Sequence, residues 1–198
     1  MFDLVALIQA AGYLGLFGII FAESGLFIGF FLPGDSLLFT AGLLASRGFL
    51  NIYVLVGLTF IAAVLGDNVG YWFGKKTGPK IFNKEDSLFF HKNHIIKAEH
   101  FFQKYGPKTI IFARFVPIVR TFAPILAGVG KMHYRTFFFY NIVGGLLWTA
   151  GILFLGYYLG RVIPNIDKYI LPILFGIIII SVLPNIYQIL KIKKEKNK

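Results

Sequence analysis

Cysteine is absent from the 198 residues of this chain, and acidic residues are scarce, with nine Asp and Glu against twenty Lys and Arg. The lack of cysteine excludes disulfide bonds, thiolate metal sites and cysteine nucleophiles. No hydrophilic segment is long enough for a second domain, so we expect one domain over residues 1–198. The first twelve residues, MFDLVALIQAAG, lack the basic region and cleavage site of a signal peptide, and we expect them to be retained.

Apolar side chains are abundant instead. They make up 57% of the residues, aromatic residues alone make up 18%, and the mean hydropathy is +0.71. The apolar runs are long enough to cross about 30 Å of hydrocarbon as helices, so the composition predicts an integral membrane protein of the all-α class. Spanning helices are expected where a run reaches roughly 20 residues, at residues 51–74, 137–159 and 169–190.

Other apolar stretches are too short to span a bilayer. A short stretch follows the Pro-Gly-Asp break at residues 33–35, and the stretches on either side of Arg120 are about as short. Such interrupted limbs are typical of re-entrant hairpins, whose irregular backbone must be buried in protein or line a wet cavity. We therefore predict two hairpins, at residues 12–47 and 107–131. For residues 12–32, an ordinary spanning helix with one buried Glu stays an alternative.

The lysines are concentrated in a linker and in the C-terminal tail. A basic linker occupies about residues 75–106, and residues 75–108 carry eight Lys against three acidic residues, a net charge of +5. The tail at 191–198 carries five Lys and one Glu. Because lysine-rich loops of membrane proteins lie on the cytoplasmic side, we expect both segments there. This arrangement explains the net charge of +11 without a nucleic-acid partner.

The linker contains a group of residues whose spacing could hold a metal ion: His91, His94, Glu99 and His100. The apolar and aromatic residues between them favour an amphipathic helix on the cytoplasmic membrane surface instead. We therefore predict no metal site, and nothing in the sequence indicates a cofactor.

A weak internal repeat has an offset of 86 residues. The Ala-Gly pairs at 41–42 and 127–128 each precede a Gly-Tyr pair by 29 residues, although aligning residues 23–75 with 109–161 gives only five identities. Each half contains a predicted hairpin followed by one spanning helix. Because a hairpin returns to its own side and a single helix does not, the second half must be inverted, as in many secondary transporters. The predicted fold is an inverted repeat of re-entrant hairpin plus spanning helix, with a further C-terminal spanning helix.

Four ionisable residues fall inside the predicted hairpins. The first hairpin carries Glu23 and Asp35, and the second carries Arg114 and Arg120. Because the hairpins approach the same depth from opposite faces, we expect the acids to meet the arginines. An ionised side chain alone at the bilayer centre costs about 3 kcal/mol or more, and arginine can hold a phosphate with its planar fork. The alternative is that these residues only hold the hairpins together, although buried ion pairs are poor stabilisers.

The remaining polar residues at membrane depth are less specific. Asp67, next to Asn68 in a predicted spanning helix, is a candidate for a proton path, and capping of the neighbouring hairpin explains it equally well. An aspartyl protease could use Asp35 with Asp67, but the sequence lacks the first glycine of a GxGD motif. A lipid phosphatase needs paired histidines at membrane depth, where His133 stands alone. We therefore expect that the protein is not an enzyme.

Four sequence blocks in this order resemble the DedA family, also called SNARE-associated or VTT-domain membrane proteins. They are Glu23 followed by FLPGDSLL at 31–38, GDNVGYWFGKKTG at 66–78 and FARFVPIVRTFAPILAGVGKM at 112–132. The resemblance implies a bacterial cytoplasmic-membrane protein with facing re-entrant hairpins. It also implies that the essential acids of the family fall on Glu23 and Asp35, and its essential arginines on Arg114 and Arg120.

The function that the resemblance implies is movement of lipids between leaflets, dependent on the proton-motive force. The lipid in similar proteins is undecaprenyl phosphate or a phospholipid such as phosphatidylethanolamine. We expect the two arginines to hold the phosphate while the two acids compete for them and couple release to proton movement. Membrane lipids and protons are thus the expected partners. A proton-driven exchanger of small ions or drugs uses the same architecture and carboxylates, and is the alternative.

Overall fold

The computed structural model describes residues 4–25, 33–81, 102 and 104–162. These residues form helices and no β-strand, in agreement with the predicted all-α class. The helices are α1 (Leu4–Gly25), α2 (Gly34–Ser46), α3 (Ile52–Ile81), α4 (Thr109–Ala113), α5 (Pro117–Val129) and α6 (Tyr134–Val162). The predicted spanning helix at 169–190, the C-terminal tail and most of the basic linker lie outside the described residues.

Two of the described helices are long and apolar enough to cross a membrane. They are the 26 residues Ile52–Thr77 of α3 and the 29 residues of α6, whose most apolar 18-residue stretches have mean hydropathies of 1.9 and 1.7. Both overlap the predicted spans at 51–74 and 137–159. Helix α3 continues past the predicted span to Ile81.

The segments predicted as hairpins contain shorter helices separated by breaks. Helices α2 and α5 have 13 residues each, which corresponds to about 20 Å and is too short for a bilayer. In α1 the backbone is interrupted at Gly12, where φ is 55° and ψ is −156°, and this is the residue at which the first hairpin was predicted to begin. Whether these helix pairs are re-entrant stays a prediction.

Proline determines where α5 begins. Pro117 occupies the first turn, where its missing N–H is not needed and its fixed φ suits a helix. The preceding Val116 is extended, with φ −114° and ψ 107°, because the residue before proline is driven out of the helical region. The local sequence therefore determines the break between α4 and α5, and Arg114 lies in this break.

Helix α2 packs closely on α6. Gly42 lies against the main-chain carbonyl oxygen of Leu153, and Gly156 lies against that of Phe39. A Cβ at either glycine would overlap the oxygen. Small residues allow membrane helices to approach until their backbones touch, which strengthens van der Waals packing where no hydrophobic driving force exists.

Helix α5 packs on α3 in the same manner. Gly128 lies against the carbonyl oxygen of Tyr71, and Gly74 lies against that of Ile125. Each long helix therefore packs on the short helix of the other half of the chain, where α1–α3 form the first half and α4–α6 the second. Gly42 and Gly128, which the 86-residue offset relates, occupy corresponding places in these two helix pairs.

Apolar side chains fill the space around these contacts in two clusters. One joins α1, α2, α3 and α6, and the other joins α3, α4, α5 and α6. Charged side chains are nevertheless buried among the same helices: Glu23, Asp67, Arg114 and Arg120. Burial of ionised groups requires partners, so the contacts between these side chains define the site.

Candidate functional site

Arg120 of α5 holds two carboxylates from the first half of the chain. Its Nη1 donates to Asp35 Oδ1 at 2.8 Å, and its Nη2 donates to Glu23. Glu23 lies near the end of α1 and Asp35 in the first turn of α2, where the positive end of the helix dipole favours an acid. The interruption between α1 and α2 thus brings two acids, twelve residues apart, to one guanidinium, as the sequence predicted.

The glycine of the Pro-Gly-Asp break is needed for this arrangement. The carboxylate of Glu23 lies directly on Gly34, so that a Cβ there would overlap the carboxylate oxygen Oε2. Only glycine leaves room for Glu23 beside the start of α2. The residues at 33–35 therefore do more than interrupt a helix, because they also make space for one of the two acids.

Trp148 of α6 contacts both members of the Arg120–Asp35 pair. Its indole Nε1 donates to Asp35 Oδ1 at 2.8 Å, and its ring lies under the Arg120 guanidinium with 4.4 Å between Cζ and the ring centroid. The side chain is 1% exposed. Trp148 was not among the site residues predicted from the sequence. The signal was available, since a tryptophan inside a long apolar helix brings a polar N–H that requires a partner.

Arg114 does not meet the acids of the first hairpin, which corrects the predicted pairing. Its Nη2 donates to Asp67 of α3 and to Asn141 Oδ1 of α6. The guanidinium fits between the two long helices because α6 has two glycines there. A Cβ at Gly144 would lie 3.1 Å from Arg114 Cδ, and one at Gly145 would lie 3.6 Å from its Cζ.

The predicted pairing of Arg114 was wrong because it assumed that both arginines of the second hairpin contact the acids of the first hairpin. Asp67 is an ion-pair partner of Arg114, although it was predicted only as a proton-path or capping residue. Asn141 was not selected at all. It lies seven residues, or about two helical turns, before Trp148, and a polar residue at that spacing in an apolar helix indicates a shared face.

The arginines have more donors than the described residues use. Within those residues, Arg114 Nε and Nη1 and Arg120 Nε are buried without a hydrogen-bond partner, and so are Glu23 Oε2 and Asp67 Oδ1. An unsatisfied buried donor costs about 1–3 kcal/mol, and more when it is charged. The donors could instead bind the oxygen atoms of an anion.

Asp35 is the accessible member of the group. Its side chain is 26% exposed, whereas the exposures of the other four charged side chains lie between 1% and 4%. The site formed by Glu23, Asp35, Asp67, Arg114 and Arg120 is therefore closed on all sides except at Asp35. We call these five residues the charged cluster.

A line of polar side chains leads from the charged cluster to the start of α6. Asn141 and Asn68 each donate an amide N–H to the Val64 carbonyl oxygen, at 3.2 and 2.7 Å. Tyr134 then donates its hydroxyl to Asn68 Oδ1 at 3.1 Å. These hydrogen bonds connect Arg114 to Tyr134, the first residue of α6.

No group of three or more metal-ligating side chains occurs in the part of the chain that the structure describes. His91, His94, Glu99 and His100 lie outside it. His133, which was weighed as a phosphatase residue, is exposed before the start of α6 and is not in contact with the charged cluster.

Comparison with known proteins gives a family match and several relatives. The VTT domain matches residues 32–158, which include Asp35, Asp67 and both arginines. The chain is 45% identical over 194 residues to "Protein DedA" of Escherichia coli (strain K12), covering 97% of this chain and 88% of that protein. It is 46% identical over 166 residues to an uncharacterized membrane protein of Mycobacterium leprae, covering 84% and 74%.

A more distant relative is "Inner membrane protein YqjA" of Escherichia coli (strain K12), with 35% identity over 161 residues, 79% of this chain and 71% of that protein. No solved structure matches the chain. Identity at this level over most of both chains establishes common descent and confirms the resemblance of the four sequence blocks. The protein is therefore a membrane protein of the DedA family, with a VTT domain over residues 32–158.

Proposed function

We propose that this protein translocates a phosphate-bearing lipid between the leaflets of a bacterial cytoplasmic membrane and catalyses no reaction. The observation that carries the proposal is the pair of buried arginines, which keep unused donors while Asp35 opens the site to the outside. Arginine holds its charge when buried and binds phosphate oxygens with two parallel N–H groups. The lipid we favour is undecaprenyl phosphate or a phospholipid such as phosphatidylethanolamine.

Translocation in this mechanism requires shielding of the headgroup alone. The phosphate would replace Asp35 on Arg120 and then reach the donors of Arg114, while the acyl or isoprenoid tail stays in the hydrocarbon. Glu23 and Asp35 compete with the phosphate for Arg120 and so drive its release. Such competition avoids trapping the ligand, since tight binding without a competitor would slow the exit.

The short helices support a site at membrane depth. Helices α2 and α5 are too short to span, and each packs through glycine on a long helix of the other half. We propose that the two helix pairs are re-entrant and that the halves are inverted relative to each other. Glu23, Asp35 and Arg120 would then meet near the bilayer midplane, where inverted-repeat transporters bind their substrates.

The balance of charge supports coupling to protons. With three carboxylates and two guanidinium groups, the charged cluster carries one excess negative charge when all five are ionised. A phosphate that takes an arginine leaves a carboxylate without its partner in surroundings that disfavour an isolated charge. That carboxylate takes up a proton, so that anion binding and proton uptake occur together. Asp67, which is buried beside Arg114, is the candidate residue for the path of the proton.

Two enzyme classes fit the geometry poorly. Asp35 and Asp67 are each held by a different arginine and do not share a proton as aspartyl protease residues do. Among the described residues, His133 offers no partner for phosphatase chemistry at the charged cluster. Proton-coupled exchange of a small cation or drug is the second candidate, which the excess carboxylate and the exposure of Asp35 favour.

Reconstitution tests the proposal. The purified protein is placed in liposomes that contain undecaprenyl phosphate or phosphatidylethanolamine, and the fraction of each lipid that a membrane-impermeant reagent reaches is followed with time. We expect one of these lipids to equilibrate between leaflets faster than in protein-free liposomes. Wild-type protein that is inert toward both lipids but carries a proton-coupled ion flux would overturn the translocase proposal.

A further inference from the structure

Two hydrogen-bond donors converge on a single oxygen atom of Asp35. Arg120 Nη1 and Trp148 Nε1 both donate to Asp35 Oδ1, each at 2.8 Å. Asp35 is also the exposed member of the charged cluster. Asp35 Oδ1 therefore marks a position at which one anionic oxygen is bound by two donors, and the side chain that carries it is 26% exposed.

Trp148 has no alternative use for its N–H. The indole nitrogen is a donor only, and the side chain is 1% exposed, so it must find an acceptor within the protein or on a ligand. Its ring lies 4.4 Å from the Arg120 Cζ atom, an attractive stacking that fixes the plane of the guanidinium. Arg120 and Trp148 thus form a stacked pair whose two donors are directed at the same oxygen atom.

We infer that Trp148 binds the substrate directly, as a second donor to the phosphate beside Arg120. An oxygen of the phosphate displaces the Asp35 carboxylate and accepts hydrogen bonds from Arg120 Nη1 and Trp148 Nε1 at the place that Asp35 Oδ1 occupies. Asp35 is then an internal anion that holds the site in its binding geometry between transport cycles. No covalent bond forms or breaks. The inference rests on the proposed transport of a phosphate-bearing lipid and assigns it a further binding residue.

The chemistry of this position selects an anion. Once Asp35 has left, the position presents one charged and one neutral donor. A cation would instead need Asp35 to remain as its ligand, and would find the guanidinium and the indole N–H directed at it. Transport of a phosphate-bearing lipid and exchange of a small cation therefore differ in what they require of Trp148, which a cation exchanger has no reason to use.

The chain offers a matched pair of variants, because it contains two tryptophans. Trp72 lies on the outer face of α3, is 50% exposed and lies outside the charged cluster. In the purified full-length Trp72→Phe protein, Trp148 is the only indole. We expect its emission to shift and saturate on titration with farnesyl phosphate, but not with farnesol, which has the same chain and no phosphate. A saturating binding isotherm by calorimetry without a change in Trp148 emission would overturn the inference.

Removal of Asp35 separates direct binding from positioning. In an Asp35→Ala background, we expect Trp148→Phe to weaken farnesyl phosphate binding roughly tenfold by calorimetry, since the lost donor served a charged acceptor. Trp72→Phe in the same background leaves the affinity unchanged. If Trp148→Phe also has no effect there, Trp148 acts only by holding Asp35, and the inference is wrong. The emission measurement retains native Trp148 and stands even if Trp148→Phe does not fold.

The inference and the proposed function fail in different ways. Farnesyl phosphate that binds through Trp148 in a protein that leaves lipids untouched in liposomes would remove the translocase function and keep the anion site. Inorganic phosphate that binds as tightly as farnesyl phosphate would keep the site and assign it to a free anion. If neither probe binds the wild-type protein, both the site and the function are wrong.

Discussion

Arg120 and Arg114 differ in how their donors are used. Arg120 reaches two carboxylates through two separate nitrogens, and one of these acids is the exposed Asp35. Arg114 uses one nitrogen for both Asp67 and Asn141, and its Nε and Nη1 have no partner within the described residues. We therefore expect the ligand to meet Arg120 first and Arg114 deeper in the protein.

Replacement of either arginine by lysine tests the phosphate grip. Arg120→Lys keeps one positive charge but loses the fork that binds two acids through different nitrogens, and it loses the planar stack on Trp148. We expect Arg120→Lys and Arg114→Lys to insert and fold, and to translocate lipid at least roughly tenfold more slowly, as expected for the loss of one hydrogen bond between charged groups. Leaflet accessibility in liposomes measures the rate, and size-exclusion chromatography measures folding.

Arg135→Lys is the matched control, because Arg135 is an exposed residue of α6 outside the charged cluster. Its transport rate should equal that of the wild type. If Arg114→Lys and Arg120→Lys both yield little folded protein, the arginines act mainly as structural ties between helices. Normal transport by both variants would remove the phosphate grip from the mechanism.

Neutralisation of the acids should separate binding from turnover. In Glu23→Gln and Asp35→Asn, the arginines lose their competitors, so that a phosphate-bearing lipid binds at least as tightly as to the wild type. Its release then lacks the group that displaces it, and translocation slows. Lipid affinity by calorimetry and lipid movement in liposomes, measured on the same purified variants, give both quantities.

The same variants distinguish the ion exchanger. If the carboxylates themselves carry the ion, neutralising them abolishes proton-coupled ion flux and leaves lipid binding as it was. A flux assay with a pH-sensitive dye inside the liposomes measures this directly. Weaker lipid binding by both variants would contradict the competition between acid and phosphate, because a competitor's removal cannot lower affinity by itself.

At the level of single residues, the sequence predicted which charged side chains come together better than it predicted their individual partners. Glu23, Asp35 and Arg120 were identified because charge inside short apolar limbs is rare and costly. The partner of Arg114 could not be inferred, since it depends on which face of α3 meets the break before α5. Trp148 was missed because an aromatic residue in an apolar helix is most often simple packing.

At the level of helices, the breaks between helices depend on nearby residues, whereas the packing of helices depends on residues far apart in the chain. Pro117 separates α4 from α5 through its effect on Val116, and Pro33 and Gly34 lie at the start of α2, so these two helix starts could be predicted from sequence. The crossing of α2 on α6 could not, because it depends on glycines more than 100 residues apart. The 86-residue offset relates Gly42 to Gly128 and Gly70 to Gly156, and does not indicate which helices these glycines contact.

A methyl group at a glycine crossing should separate two helices. In Gly42→Ala, the new Cβ meets the Leu153 carbonyl oxygen, part of a backbone that cannot rotate away. We expect a loss of about 1–3 kcal/mol of stability, as for overpacking in a close-packed interior. Gly128→Ala should have a similar effect on the packing of α5 on α3. Thermal unfolding in detergent, followed by intrinsic fluorescence, measures both.

Gly57→Ala and Gly151→Ala are controls within the same long helices, since a Cβ at either position meets nothing within 4 Å. Alanine favours a helix over glycine by about 1 kcal/mol, so these variants should unfold at or above the wild-type temperature. Equal destabilisation by all four substitutions would mean that glycine flexibility matters here and not the close approach of the backbones.

For the whole molecule, the distribution of lysine predicts the orientation in the membrane. The basic linker and the C-terminal tail should be cytoplasmic, and the α2–α3 connection should face outward. Since the chain has no native cysteine, single cysteines can be introduced at Phe49, Lys92 and Lys196. Phe49 is 65% exposed, and it is preferable to Gly48, whose φ of 82° suits glycine.

An impermeant thiol reagent added to intact cells should label the cysteine at position 49 and leave positions 92 and 196 unlabelled until the membrane is opened. Labelling of all three after permeabilisation confirms that each cysteine is reactive. The opposite pattern, with 92 or 196 reached from outside and 49 protected, would invert the orientation.

The pairing of each short helix with a long helix of the other half has a consequence for biosynthesis. Helix α2 receives its partner only when residues near Gly156 have left the ribosome, more than 110 residues after Gly42. At about 5–20 residues per second, this takes roughly 6 to 20 seconds. For the larger part of that interval Asp35 and Glu23 lack Arg120, which is made 85 residues after Asp35. The nascent first half must therefore be sheltered by the insertion machinery, and a pause in translation before α6 would expose it to membrane proteases.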